Sequence, residues 1–117
     1  MTRLRDFLDA RRERRRRLRD FAHVRPEEIA SLGLSRAEFR ALALMPSEQV
    51  ARMEAMANLN GCPTGRLDRD RDLRIAVSLT CVQCGKQARC RSALQGAAET
   101  GTDFCPNAGT YRMLAAE

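Results

Sequence analysis

Cys81-Val82-Gln83-Cys84-Gly85-Lys86-Gln87-Ala88-Arg89-Cys90, followed after fourteen residues by Cys105-Pro106-Asn107, is the stretch on which the reading of this chain turns. Two cysteines three residues apart can face one ion from a single turn, and flanking helices can deliver two more. The spacing predicts one centre held by Cys81, Cys84, Cys90 and Cys105. Lys86, Arg89 and Arg91 lie close enough in sequence to offset the negative charge of four thiolates. Cys105 falls where the N-cap of a last helix is expected, and a helix dipole there favours the thiolate. Two other readings stand beside this one: small buried apolar residues and regulatory disulfides.

A four-thiolate shell suits both Zn²⁺ and an iron–sulfur cluster. Cys81-Val82-Gln83-Cys84-Gly85 looks like a zinc knuckle, but Cys90 and Cys105 do not form the second C-x2-C pair that zinc ribbons supply. That missing pair weakens zinc, and on the residues alone a [4Fe-4S] cluster and Zn both remain candidates. Cys62 is kept as a spare thiol; it is also an alternative fourth ligand, in the order Cys62-x18-Cys81-x2-Cys84-x5-Cys90.

Outward from the cysteines, the pattern is helical throughout. Asp68 to Thr80 predicts a helix with Leu73, Ala76 and Val77 inward, delivering Cys81 at its end. A helix over residues 86–96, a Gly- and Thr-rich loop to Asp103 and a closing helix from Pro106 carrying Tyr111, Met113 and Leu114 complete that side. Toward the N-terminus, a helix from Pro46 or Ser47 is expected to bury Val50, Met53 and Ala57 before Gly61 stops it. Ser35 and Glu38 form a capping box for a helix over residues 36–44, and Pro26 opens a short helix closed by Gly33. Residues 2–22 read as one basic helix, with Leu4, Phe7, Leu8, Leu18, Phe21 and Ala22 on a stripe that Arg11, Arg14 and Arg15 interrupt. The fold expected is all-α, of five to six helices, divided into a basic helix (residues 1–25) and a small helical metal-binding domain (residues 26–117).

Composition bounds what such a chain can do. With 117 residues, four Phe, one Tyr and no Trp, its core is thin, and a bound metal would help to hold it. All of the net charge of +6 lies in residues 1–25, where ten Arg face four acids. Clustered arginine suits phosphate or carboxylate recognition, so residues 1–25 are expected to meet nucleic acid or an acidic protein, or else to form a solvated face. No apolar run is long enough to span a membrane and no secretory signal is evident, so the location expected is the cytoplasm. His23 is the only histidine and no nucleophile–base pair stands out, so no catalytic residue is assigned.

Several resemblances attach to these residues. The C-x2-C-x5-C run resembles the cluster-binding runs of WhiB-like regulators and of helix-hairpin-helix DNA glycosylases, both of which hold a [4Fe-4S] cluster, and Cys105-Pro106 resembles the end of a ferredoxin motif. With the Phe104-Cys105-Pro106-Asn107 box, residues 45–115 are similar to a small proteobacterial four-cysteine family without an assigned function, a resemblance that implies a metal-binding fold. Residues 11–42 resemble the short arginine-rich YjiS-like proteins, through Arg14 to Arg17 and Ile29-Ala30-Ser31-Leu32-Gly33-Leu34-Ser35-Arg36. The function expected is a metal-binding, regulatory or redox-responsive protein contacting nucleic acid or an acidic protein through its basic helix; the alternative is a zinc-stapled interaction module without redox activity.

Overall fold

A computed structural model of the chain describes residues 2–96 and 101–117. Those residues are all-helical and contain no strand. They form α1 (Thr2–Ala22), α2 (Pro26–Ser31), α3 (Arg36–Ala43), α4 (Ser47–Leu59), a 3-10 turn (Leu67–Arg69), α5 (Arg71–Val82), α6 (Gln87–Leu94) and α7 (Ala108–Ala115). Seven α-helices exceed the five to six expected, and residues 97–100 of the loop expected before Asp103 lie outside the described residues. Two compact units divide the chain, one ending at Pro46 and the other Ser47–Glu117. The basic helix thus shares a unit with α2 and α3, and the division falls later than residue 25.

In the first unit, local sequence dictates most of the path. Ser35 Oγ accepts from the Glu38 N–H at 3.1 Å and Glu38 Oε1 accepts from the Ser35 N–H at 2.9 Å, both arms of the expected capping box. Gly33, at φ 75°, closes the preceding turn in the left-handed region open to glycine. Phe21 is buried and stacks on Phe39 with ring centroids 5.8 Å apart, and the Arg36 guanidinium lies over the Phe21 ring at 4.8 Å. Arg17 ties α1 further in, donating to the Met45 carbonyl and to Glu13 Oε1, the latter at 2.7 Å. The predicted stripe docks only at this end. Leu4, Phe7 and Leu8 are exposed by 61, 56 and 42 %, and Ala22 is exposed as well.

In the second unit, α4 packs against α5, α6 and α7. Met53, Met56 and Tyr111 are its most buried large side chains. Flexible thioethers fill space that aromatic rings would otherwise take. On α4 the buried positions are Gln49, Met53, Met56 and Ala57; Val50 is half-buried. On α5 Val77 is buried and Leu73 half-buried, but Ala76, expected inward, is exposed. On α7 Tyr111 and Leu114 are buried together with Ala108, while Met113 is exposed. The i, i+3 and i+4 alternatives on a short helix differ by one residue, and tertiary packing selected the neighbour.

Candidate metal centre

Four elements present the cysteines. Asp70 caps α5 by accepting the Leu73 N–H at 3.2 Å, and Arg74 pairs with Glu54 at 3.2 Å and Asp68 at 2.9 Å, so α5 is fixed against α4 and carries Cys81 in its last turn. The chain then turns through Cys84 into α6, which carries Cys90. Cys105 lies in the turn before α7, whose N-cap residue is Asn107. The expected capping position of Cys105 is therefore corrected by two residues. Its carbonyl accepts the Ala108 N–H at 3.0 Å, one turn tightened ahead of the helix proper.

The loop bearing Cys105 is pinned from both sides. Thr102 Oγ1 donates to Asn60 Oδ1 at 2.8 Å, and Arg112 reaches Asp103 at 2.7 Å, Thr102 Oγ1 at 3.0 Å and Asn60 Oδ1 at 3.2 Å. Arg89 of α6 lies over the Phe104 ring at 4.9 Å. Asn107, buried, donates to the Val77 carbonyl at 2.9 Å and so joins this loop to α5.

The result is one small cavity, about 20 Å³, lined by Cys81, Cys84, Cys90 and Cys105 together with Met53, Tyr111 and other residues. That volume is roughly one water-sized sphere. All five cysteines are free thiols. Among the described residues, no three Cys, His, Asp or Glu side chains are grouped so that they could hold a metal ion as they stand. The thiols face a common void without being closed on a common point. Cys62 is elsewhere, buried beside a separate cavity lined by Pro63, Leu67 and Arg74.

Electrostatics at the four thiols work in two directions. Burial pushes Cys81, Cys90 and Cys105 above the ordinary thiol value, and each is further disfavoured as an anion by the neighbouring cysteines. Against this stand hydrogen-bond donors and cations. Gln49 Nε2 donates to the Cys81 carbonyl at 3.0 Å and approaches its Sγ at 3.7 Å; the Lys86 N–H meets Cys84 Sγ at 3.4 Å; the Asn107 and Ala108 N–H groups bond Cys105. Arg52 and Arg91 favour the Cys90 thiolate and Arg112 that of Cys105. N–H donors around cysteine sulfur are the second shell that thiolate–metal sites use. Burial likewise holds the Tyr111 phenol in its neutral form.

Gln49, Arg52, Gln87 and Asn107 are site residues that spacing arguments do not reach. Gln49 is detectable only as a polar residue on the expected apolar face of α4, four residues before Met53. No family model, curated protein or solved structure matches the chain.

Proposed function

We propose that Cys81, Cys84, Cys90 and Cys105 bind one metal centre, and that the chain is a small regulatory or redox-responsive protein built around it. The observation that carries this reading is the convergence of four thiols from separate segments on one cavity, with donors directed at three of the sulfurs. The donor set is all thiolate, which suits a [4Fe-4S] cluster or Zn²⁺ and disfavours Mg²⁺ or Ca²⁺. The cluster is the first reading, supported by the absence of a second knuckle in the sequence and by the resemblance of the C-x2-C-x5-C run, set between and on helices, to WhiB-like runs. Zn²⁺ is the second, favoured by a cavity of about 20 Å³ that admits a single ion with less movement of its walls than a cluster needs. When bound, a cluster would supply one-electron chemistry; the zinc ion would supply structure alone.

The basic helix gives this reading its partner. Arg11, Arg14 and Arg15 are exposed, and residues 1–25 carry the whole charge excess. Nucleic acid or an acidic protein is the partner chemistry this fits. Anaerobic purification followed by an absorption spectrum and metal and sulfide analysis tests the centre. A broad visible absorption with iron and acid-labile sulfide is expected; a colourless protein with one zinc selects the second reading, and a protein free of metal under these conditions refutes both.

A further inference from the structure

Arg52 lies on the wall of the four-cysteine cavity with only 13 % of its side chain exposed. Its guanidinium is held at two points, one terminal nitrogen donating to Glu48 Oε1 at 2.6 Å and the other to Gln87 Oε1 at 3.0 Å. Gln87 is anchored in turn, its Nε2 donating to the Cys81 and Cys84 carbonyls at 3.2 Å each. Glu48 also pairs with Arg91 at 3.6 Å. The guanidinium is thus clamped between α4 and α6, and its third nitrogen, Nε, is buried with no hydrogen-bond partner.

A buried donor without an acceptor is costly, the more so when it is charged. Among the described residues this is the one buried side-chain nitrogen or oxygen in that condition. Apart from the cysteines, much of the cavity wall is apolar or aromatic: Met53, Met56, Phe104, Pro106 and Tyr111. A neutral thiol is a poor acceptor, whereas a thiolate is a strong one. Cys90 follows Gln87 by three residues on α6, so it shares the face that the Arg52 clamp engages.

We propose that Arg52 is a positioning residue of the metal centre, its Nε–H donated to the Cys90 sulfur once metal binding has released the thiol proton to solvent. This rests on the metal-centre reading above and adds to it a fixed cation that balances part of the thiolate charge. The electrostatic influence of Arg52 on Cys90 runs the same way, favouring the thiolate.

Co²⁺ is a suitable probe, because its thiolate charge-transfer bands report sulfur bonding directly. The full chain and its Arg52→Lys and Arg52→Gln variants would be titrated with Co²⁺ under anaerobic conditions against a competing chelator. Loss of such a support is expected to weaken binding about 10–100-fold, with Arg52→Gln the weaker binder, Arg52→Lys intermediate because it keeps charge without the fork, and the charge-transfer bands shifted in both. In the wild-type chain, the Arg52 Nε–H nuclear magnetic resonance signal should shift and become protected from exchange on adding Zn²⁺; this readout needs no variant to fold. Wild-type affinity and an unshifted spectrum in both variants, or an Nε–H signal indifferent to Zn²⁺, overturns the role of Arg52 while leaving the metal centre intact. A wild-type chain that takes up neither ion and, purified anaerobically, holds no iron or sulfide overturns the metal reading itself and this inference with it.

Discussion

At Cys105 two influences meet: burial holds the proton on the sulfur, and the Asn107 and Ala108 N–H groups favour its loss. For Cys81 and Cys90, as for Cys105, burial is the larger effect, so the folded pKa lies above the ordinary value of 9.0. A raised thiol pKa means that the metal-free fold keeps this contribution to stability below pH 9.0 and loses it as pH rises through the folded pKa values. Metal binding inverts the sign, since each ligand must give up a proton. Metal affinity should therefore climb with pH across the neutral range, by as much as about four decades per pH unit if all four thiols ionise on binding. Alkaline melts of apo-protein and pH-dependent metal titrations measure the two slopes. Equal slopes for loaded and apo chains would exclude thiolate ligation.

Cys62 contrasts with these four. Its N–H bonds the Ala57 carbonyl at 3.0 Å and the Gly61 N–H bonds the Asn58 carbonyl at 3.0 Å, so it is the apolar residue that follows a glycine helix stop. Gly61 has φ 87°, and a Cβ there would stand 3.1 Å from Ala115 Cβ. Gly61→Ala should cost roughly 1–3 kcal/mol, from the left-handed backbone and from the crowding of α7, measurable by denaturant unfolding. Single Ala substitutions at Cys81, Cys84, Cys90 or Cys105 should abolish or sharply weaken metal retention, and Cys62→Ala should leave it unchanged. Metal lost from the Cys62 variant alone would reassign the ligands. The sequence made the Ser35–Glu38 box, Gly33 and Gly61 legible, because each is a local rule satisfied within five residues, whereas it left Cys62 open as spare thiol or fourth ligand, because which cavity a thiol lines is set by tertiary packing. The cap at Asn107 was hidden because a tight turn, with the Ala108 N–H bonded to the Cys105 carbonyl, precedes α7 and local sequence does not separate it from a first helical turn.

At the scale of elements, α1 shows where pattern and packing part. Its stripe runs the whole length of the helix in the sequence, yet burial is confined to Phe21 and, in part, Leu18. A stripe predicts which face would pack, and the extent of packing depends on what the rest of the unit offers, here Phe39 and the Met45 carbonyl. Phe21→Ala should cost about 3 kcal/mol or somewhat more and free the C-terminal end of α1, read as a lower unfolding midpoint with unchanged metal content. Residues 2–16 keep their arginines outward by contrast. If nucleic acid is the partner, its affinity should fall steeply with salt, with a log–log slope close to the number of phosphates neutralised, and removal of residues 1–22 should abolish it while sparing the metal. Salt-insensitive binding would rule out a phosphate-contacting role for α1.

For the molecule as a whole, the outstanding feature is how few large side chains make up the core of the unit that carries the cysteines. Met53, Met56 and Tyr111 carry the most buried volume of the second unit, supported by polar ties such as Asn107 to Val77 and Arg66 to Glu117 at 2.9 Å. A four-thiolate metal can add on the order of 10 kcal/mol of apparent binding energy to such a unit, so chelation should lower the unfolding temperature and diminish the helical signal of residues 47–117. That the described residues are all-helical was readable from periodicity together with the local caps and glycine stops. That the four cysteines converge was implied by spacing, while the Gln49, Arg52 and Gln87 shell was not, because it joins α4 to α5 and α6 across more than thirty residues of sequence. Native mass spectrometry of anaerobically purified protein tests the convergence most directly, reporting mass and proton balance together. A single species heavier than the bare chain by one [4Fe-4S] cluster or one zinc ion, and reverting to the bare mass in Cys90→Ala, is the expected result; a wild-type chain at its bare mass with all thiol protons in place would contradict it.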